Sequence, residues 1–137
     1  MRTLYSWPCI LVRVLDGDTV EVDVDLGFDI SKRVIVRLNG VNAPETKGVE
    51  KPAGEVARGY VVRWFSACTS RILLNSFSLD KYGRALGDFV QATQTSEVVL
   101  SLCVSLSLAK VVQPYDGGAR TPFTPEALAR IVATSPV

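Results

Sequence analysis

An α+β domain is what this sequence predicts. Thr19–Leu26 alternates, with Val20, Val22, Val24 and Leu26 on one face and Glu21, Asp23 and Asp25 on the other. That is the pattern of a half-buried antiparallel strand. Pro52–Cys68 changes period: Val56, Tyr60, Val61, Trp64, Phe65 and Cys68 fall on one helical stripe, with Glu55, Arg58 and Arg63 mostly opposite. The 137 residues carry no repeat and no linker-like composition, so residues 1–137 read as a single domain, long enough to bury a core.

Taken in order, Ile10–Leu15 reads as a strand and Asp16-Gly17-Asp18 as a turn. Thr19–Leu26 is the second strand, Gly27–Ser31 a loop and Lys32–Val41 the third strand, which makes a meander. Pro52 suits a helix start. Arg71–Phe77 and Ala85–Val90 are strands joined by a hairpin-like turn at Asp80-Lys81-Tyr82-Gly83-Arg84. Leu100–Leu108 is ambiguous. Its leucines alternate as in a strand, yet Val99, Leu102, Cys103 and Leu106 also form a helical stripe that Ser96-Glu97 could start. Pro114–Pro125 is loop-like around Asp116-Gly117-Gly118. A short helix then runs to about Ala133, with Thr124 as N-cap, Pro125 at the first helical position and Glu126 in the first turn.

Composition narrows the chemistry. Apolar content of 47% and charged content of 21% fit a globular chain rather than a disordered one. The net charge of +1 gives no global basic field, so any phosphate-binding surface must be local. Histidine is absent, which excludes Ser-His-Asp and Cys-His catalysis and His-based metal sites. Carboxylates, Arg, Lys, Tyr or a metal must carry any reaction. Cys9, Cys68 and Cys103 have neither metal-ligand spacing nor a disulfide framework, and read as buried free thiols of a reducing compartment. Trp7-Pro8 interrupts any signal-peptide core, and Val98–Val112 is too short and polar to span a membrane. A soluble, cytoplasmic monomer without a membrane partner is expected.

Val36–Thr46 carries most of the chemical information. It begins as a strand with Arg37 in its middle, stops at Gly40, and leaves extended at Ala43 because of Pro44, which delivers Glu45 just past the strand end. A guanidinium, a neutral oxygen (Asn42) and a carboxylate in one segment suit an anionic substrate with a metal or water beside it. The plainer reading is a surface Arg–Glu pair. Asp16-Gly17-Asp18-Thr19 is a common turn, but Asp18 opens a strand and can point into the same pocket as Asn42. Asp18, Asn42 and backbone carbonyls would make a weak, wet Ca²⁺ site, with a water near Glu45 as nucleophile. Arg84 follows an ordinary turn. Should it converge with Arg37, the two planar forks would grip one phosphate and stabilise pentacoordinate phosphorus.

These blocks resemble the three signatures of the staphylococcal nuclease (thermonuclease-like) family: Asp16-Gly17-Asp18-Thr19, Val36-Arg37-Leu38 running into Asn42-Ala43-Pro44-Glu45-Thr46, and Asp80-Lys81-Tyr82-Gly83-Arg84. They stand in the family's order and cover about Val12–Tyr115. The resemblance implies a five-stranded OB-fold β-barrel with three helices, and turns Leu100–Leu108 into a helix. It implies a Ca²⁺-dependent, sugar-nonspecific nuclease acting on DNA and RNA, single-stranded by preference, and leaving 3′-phosphate ends. Arg37 and Arg84 match the transition-state arginines and Glu45 the general base. Asp18, Asn42 and the Ala43 carbonyl match the Ca²⁺ ligands, while Lys81, Tyr82 and Tyr115 match substrate-pocket positions. Asn42 stands where the best-known members have an Asp, and Gln113 replaces a pocket tyrosine. The rival expectation is an OB-fold module that binds single-stranded nucleic acid or protein without cutting.

Overall fold

The computed structural model describes residues 5–79, 83–92 and 100–134. Strands β1 (Tyr5–Asp16), β2 (Thr19–Gly27) and β3 (Ile30–Leu38) form the expected meander. Two further long strands, β5 (Ile72–Leu79) and β6 (Ala85–Gln91), make an antiparallel pair. The five close into a barrel in the order β1-β2-β3-β6-β5, sealed by the parallel pairing of β3 with β6. Two-residue strands β4 (Val41–Asn42) and β7 (Gln113–Pro114) pair outside it. With helices α1 (Lys51–Ala67), α2 (Leu102–Ala109) and α3 (Pro125–Ala133), the architecture is an α+β, OB-fold-like barrel.

The core follows the strand alternation. Val20, Val22 and Val24 are buried in β2, together with Val36 and Leu38 of β3, Leu74 of β5 and Phe89 of β6. Leu26 leaves this face and is 40% exposed, because β2 there runs out past the barrel. The expected Gly27–Ser31 loop is a tighter turn: Gly27 pairs with Ile30 across Phe28 and Asp29, both at positive φ. Such a two-residue turn matches the twist of the flanking strands, and here a Phe and an Asp adopt it without glycine. The third strand also ends earlier than expected. The Asn39-Gly40 turn splits it, so Val41-Asn42 is free to pair with Gln113-Pro114.

Helix α1 runs within a residue of its expected bounds, and Val61 and Phe65 of the expected stripe are buried, but the stripe is centred on smaller residues than expected. Ala53, Gly54, Ala57, Val61 and Phe65 face inward, while Val56, Tyr60 and Trp64 are only partly covered. The small residues win the inner face because the backbone of the site packs directly on them. Gly17 shows this: a Cβ there would lie 2.7 Å from the Ala57 Cβ and 2.8 Å from the Ala43 Cβ. Its role is to leave room for α1 against the β1–β2 turn.

Helix α2 resolves the ambiguous leucine segment as a helix. The Ser101 hydroxyl accepts from the Val104 N–H at 3.2 Å, and Leu102 and Leu106 are buried. The proposed start at Ser96-Glu97 lies outside the described residues. Helix α3 has the expected cap, with the Thr124 hydroxyl accepting from the Ala127 N–H at 3.1 Å and Pro125 in the first turn. The cysteines are free thiols: Cys9 is buried, and burial pushes it up to about 12, while Cys68 and Cys103 are half-buried. Among the described residues no helix is long and apolar enough to cross a membrane.

Candidate active site

One end of the barrel opens into a cleft of about 440 Å³. Its walls include Asp16, Asp18, Arg37, Asn42, Ala43, Glu45, Arg84, Tyr115 and Arg120. Topology explains how they meet. Register pairs Thr19 with Arg37, so Asp18 sits beside Arg37. The parallel pairing of Val36 with Ala85 brings Arg84 in from the other side. The small β4–β7 sheet, continued by the Tyr115 N–H donating to the Gly40 carbonyl at 3.0 Å, swings Tyr115 over the top.

Arg37 is 7% exposed and tightly fixed. Its Nη1 donates to the carbonyls of Leu38 at 2.9 Å and Val41 at 2.7 Å. The Tyr115 ring covers it, 5.1 Å from Cζ to ring centroid. Its Nη2 has only longer contacts, 3.4 Å to Asn42 Oδ1 and 3.6 Å to Asp18 Oδ2. Nη2 is therefore the edge that a phosphate oxygen can take over. The Tyr115 hydroxyl is engaged elsewhere, donating to the Gly118 carbonyl at 2.7 Å.

Asp18, 9% exposed, ties the wall together. Its Oδ1 accepts from the Thr19 hydroxyl at 2.9 Å and its Oδ2 from the Ala43 N–H at 2.8 Å. Asn42 is 3% exposed, and its Nδ2 has no hydrogen-bond partner among the described residues. With the amide oxygen turned to Arg37, this orphan is a donor, and what it lacks is an acceptor.

Glu45 is exposed at the rim, on a loop held at three points. Pro44 beneath it is fully buried. The Glu45 N–H donates to Glu50 Oε1 at 2.9 Å, and the Thr46 hydroxyl donates to Asp16 Oδ1 at 2.7 Å. The third point is Gly54 of α1, where a Cβ would lie only 2.1 Å from the Glu45 carbonyl oxygen. The helix and the loop touch backbone to backbone.

Sequence reasoning missed two residues: Arg120, which lines the cleft, and Glu50, which anchors it. Arg120 forks onto Glu50, with Nη2 to Oε1 at 2.5 Å and Nη1 to Oε2 at 3.4 Å. Nη2 also donates to the Ala43 carbonyl at 3.3 Å. Burial raises the Glu50 pKa, but Arg120 and the N–H groups of Glu45 and Phe123 outweigh it and hold the carboxyl below its usual 4.5. No local signal marks this pair, because Arg120 reads as an ordinary loop cation and its partner is 70 residues away. Lys81 and Tyr82 lie outside the described residues.

The Ca²⁺ ligand set suggested by the sequence can be tested against these contacts. Each oxygen already accepts from a donor: Asp18 from Thr19 and Ala43, Asn42 Oδ1 from Arg37, and the Ala43 carbonyl from Arg120. One carboxylate faces two guanidinium groups. Ca²⁺ takes roughly six to eight oxygens and gains from ligand charge. As the arginines stand, the Asn42 and Ala43 oxygens are both turned to guanidinium donors, and Asp18 is the one carboxylate among the three.

Relatives exist among known proteins. Two proteins named uncharacterized endonuclease, from Escherichia coli O157:H7 and Escherichia coli, are each 34% identical to this chain over 91 residues. The match covers 61% of this chain and 53% of theirs, so the chain spans about half the length of these curated relatives. No family model matches the chain.

Proposed function

We propose that this chain is a nuclease that hydrolyses phosphodiester bonds. The observation that carries the reading is Arg37, Arg84 and Glu45 on one cleft, with Arg37 held by two backbone carbonyls so that its Nη2 edge meets the ligand. The similarity to proteins named endonucleases supports it.

In this reading the substrate phosphate enters against Arg37 Nη2 and Arg84. Planar guanidinium groups suit phosphate oxygens, and their charge does not titrate at any working pH. As water attacks, negative charge builds on the non-bridging oxygens. Donors fixed in advance stabilise that charge more than they stabilise the ground state. Glu45, exposed at the rim, accepts the proton of the attacking water. Burial of Asp18 between Arg37 and the Ala43 N–H keeps the wall aligned.

The finer features are proposals on the same footing: action on both DNA and RNA, preference for single strands, and 3′-phosphate products. Activation by Ca²⁺ would require Arg37 and Arg120 to turn away from Asn42 and Ala43. The test is incubation with single-stranded DNA and RNA at graded Ca²⁺ and with chelator, read on gels and by end-group analysis. Cleavage abolished by Glu45→Gln supports the reading. Binding without cleavage at any metal concentration refutes it in favour of a binding module.

A further inference from the structure

We propose that Arg120, anchored by Glu50, supplies a third positive charge at the Ala43 carbonyl, where it excludes a divalent cation and binds a phosphate oxygen of the substrate. This rests on the phosphodiesterase reading of the cleft and assigns a binding role to a residue outside the sequence signatures.

Arg120 is placed by an anchor that is itself built in. Glu50 accepts from Arg120, from the Glu45 N–H at 2.9 Å and from the Phe123 N–H at 3.3 Å. The ring of Phe123, a core residue, lies 5.8 Å from the Arg120 Cζ. The guanidinium is thus fixed between the base loop on one side and the segment leading into α3 on the other. It lines the cleft, and its side chain keeps 30% of its exposure. Its three hydrogen bonds among the described residues use only part of the guanidinium's five N–H donors, which leaves donors for a ligand. Burial works against its charge, but Glu50 and the nearby Glu45 and Asp18 carboxylates hold it protonated.

Its position decides what it does. The Ala43 carbonyl carries partial negative charge and lies next to Asp18 and Asn42, so it is the natural place for a cation. A guanidinium already donates there at 3.3 Å. A divalent ion at that oxygen would meet like charge from Arg120, and from Arg37 beyond Asn42. A phosphate would meet three arginines. The cleft is built for an anion first.

The experiment is calorimetric titration of parent, Arg120→Gln and Arg120→Lys with CaCl₂ and, separately, with inorganic phosphate, with circular dichroism to check the fold. Arg120→Gln is expected to bind Ca²⁺ about tenfold tighter and phosphate about tenfold weaker than the parent, the loss of one charged hydrogen bond. Arg120→Lys keeps the charge and is expected to stay near the parent for Ca²⁺. The double variant Glu50→Gln/Arg120→Gln leaves no carboxylate unpaired and replaces Arg120→Gln if that does not fold. Unchanged affinity for either ligand in the neutral variant overturns the proposal. The nuclease reading fails separately, through a parent that cuts no nucleic acid in the gel assay.

Discussion

Gly54→Ala is a single methyl on a helix, and it should disable the cleft without unfolding the chain. The added Cβ would lie 2.1 Å from the Glu45 carbonyl oxygen, 2.5 Å from its carbonyl carbon and 2.9 Å from the Thr46 nitrogen. All three are backbone atoms, so no side chain can rotate aside. Real Cβ contacts essentially never fall below 3.0 Å, so the loop must retreat by at least 0.9 Å from 2.1 Å. Alanine gains about 1 kcal/mol over glycine within a helix. Overpacking costs about 1–3 kcal/mol. The net loss of roughly 0–2 kcal/mol is small against a folding stability of about 5–15 kcal/mol. The functional loss is larger, because a displacement near 1 Å of a reacting group can lower turnover about 10²-fold. Single-turnover cleavage of a labelled oligonucleotide measures it, alongside a urea titration. Full turnover in a folded Gly54→Ala protein would refute the claim that α1 sets the position of Glu45.

Three further outcomes are expected. Glu45→Gln keeps the side-chain shape and removes proton acceptance, so kcat should fall by about 10²-fold or more with the fold intact. Arg37→Lys and Arg84→Lys keep charge but lose the planar fork, and each should lower kcat more than it raises KM in steady-state assays. Glu50 links stability to pH: its carboxyl titrates below 4.5 in the folded chain, so its contribution is present above that value and is lost as pH falls through the lower folded value. The Tm difference between parent and Glu50→Gln should therefore be largest near neutrality and shrink below pH 4.5, and a difference constant with pH would contradict the ion pair.

Much of the frame was legible because its causes are local. Thr124-Pro125-Glu126 announced α3, since a cap depends only on the residues beside it. The alternation of Val20, Val22 and Val24 announced the core face of β2, since successive side chains of a strand must point to opposite sides. The order of motifs named the residues that line the cleft, Asp18, Arg37, Asn42, Glu45 and Arg84, but not their partners. The α2 segment was not settled by its own pattern, because Leu100–Leu108 satisfies both periods, and the Ser101 cap and the burial of Leu102 and Leu106 decide it.

Other features are set by contacts between segments far apart in the chain, and a sequence window cannot contain them. The stripe of α1 that faces inward is chosen by how closely Gly54 and Ala57 let the backbones of Glu45 and Gly17 approach, so the larger Tyr60 and Trp64 are displaced from the centre. Arg37 meets Tyr115 because β4 pairs with β7. Arg120 meets Glu50 across 70 residues and also donates to the Ala43 carbonyl, in the wall where the sequence suggests a calcium site. Sequence alone supplied the kinds of charge available to this cleft. Which charges neutralise each other and which remain for a ligand was decided by distance, and distance exists only once the barrel has closed.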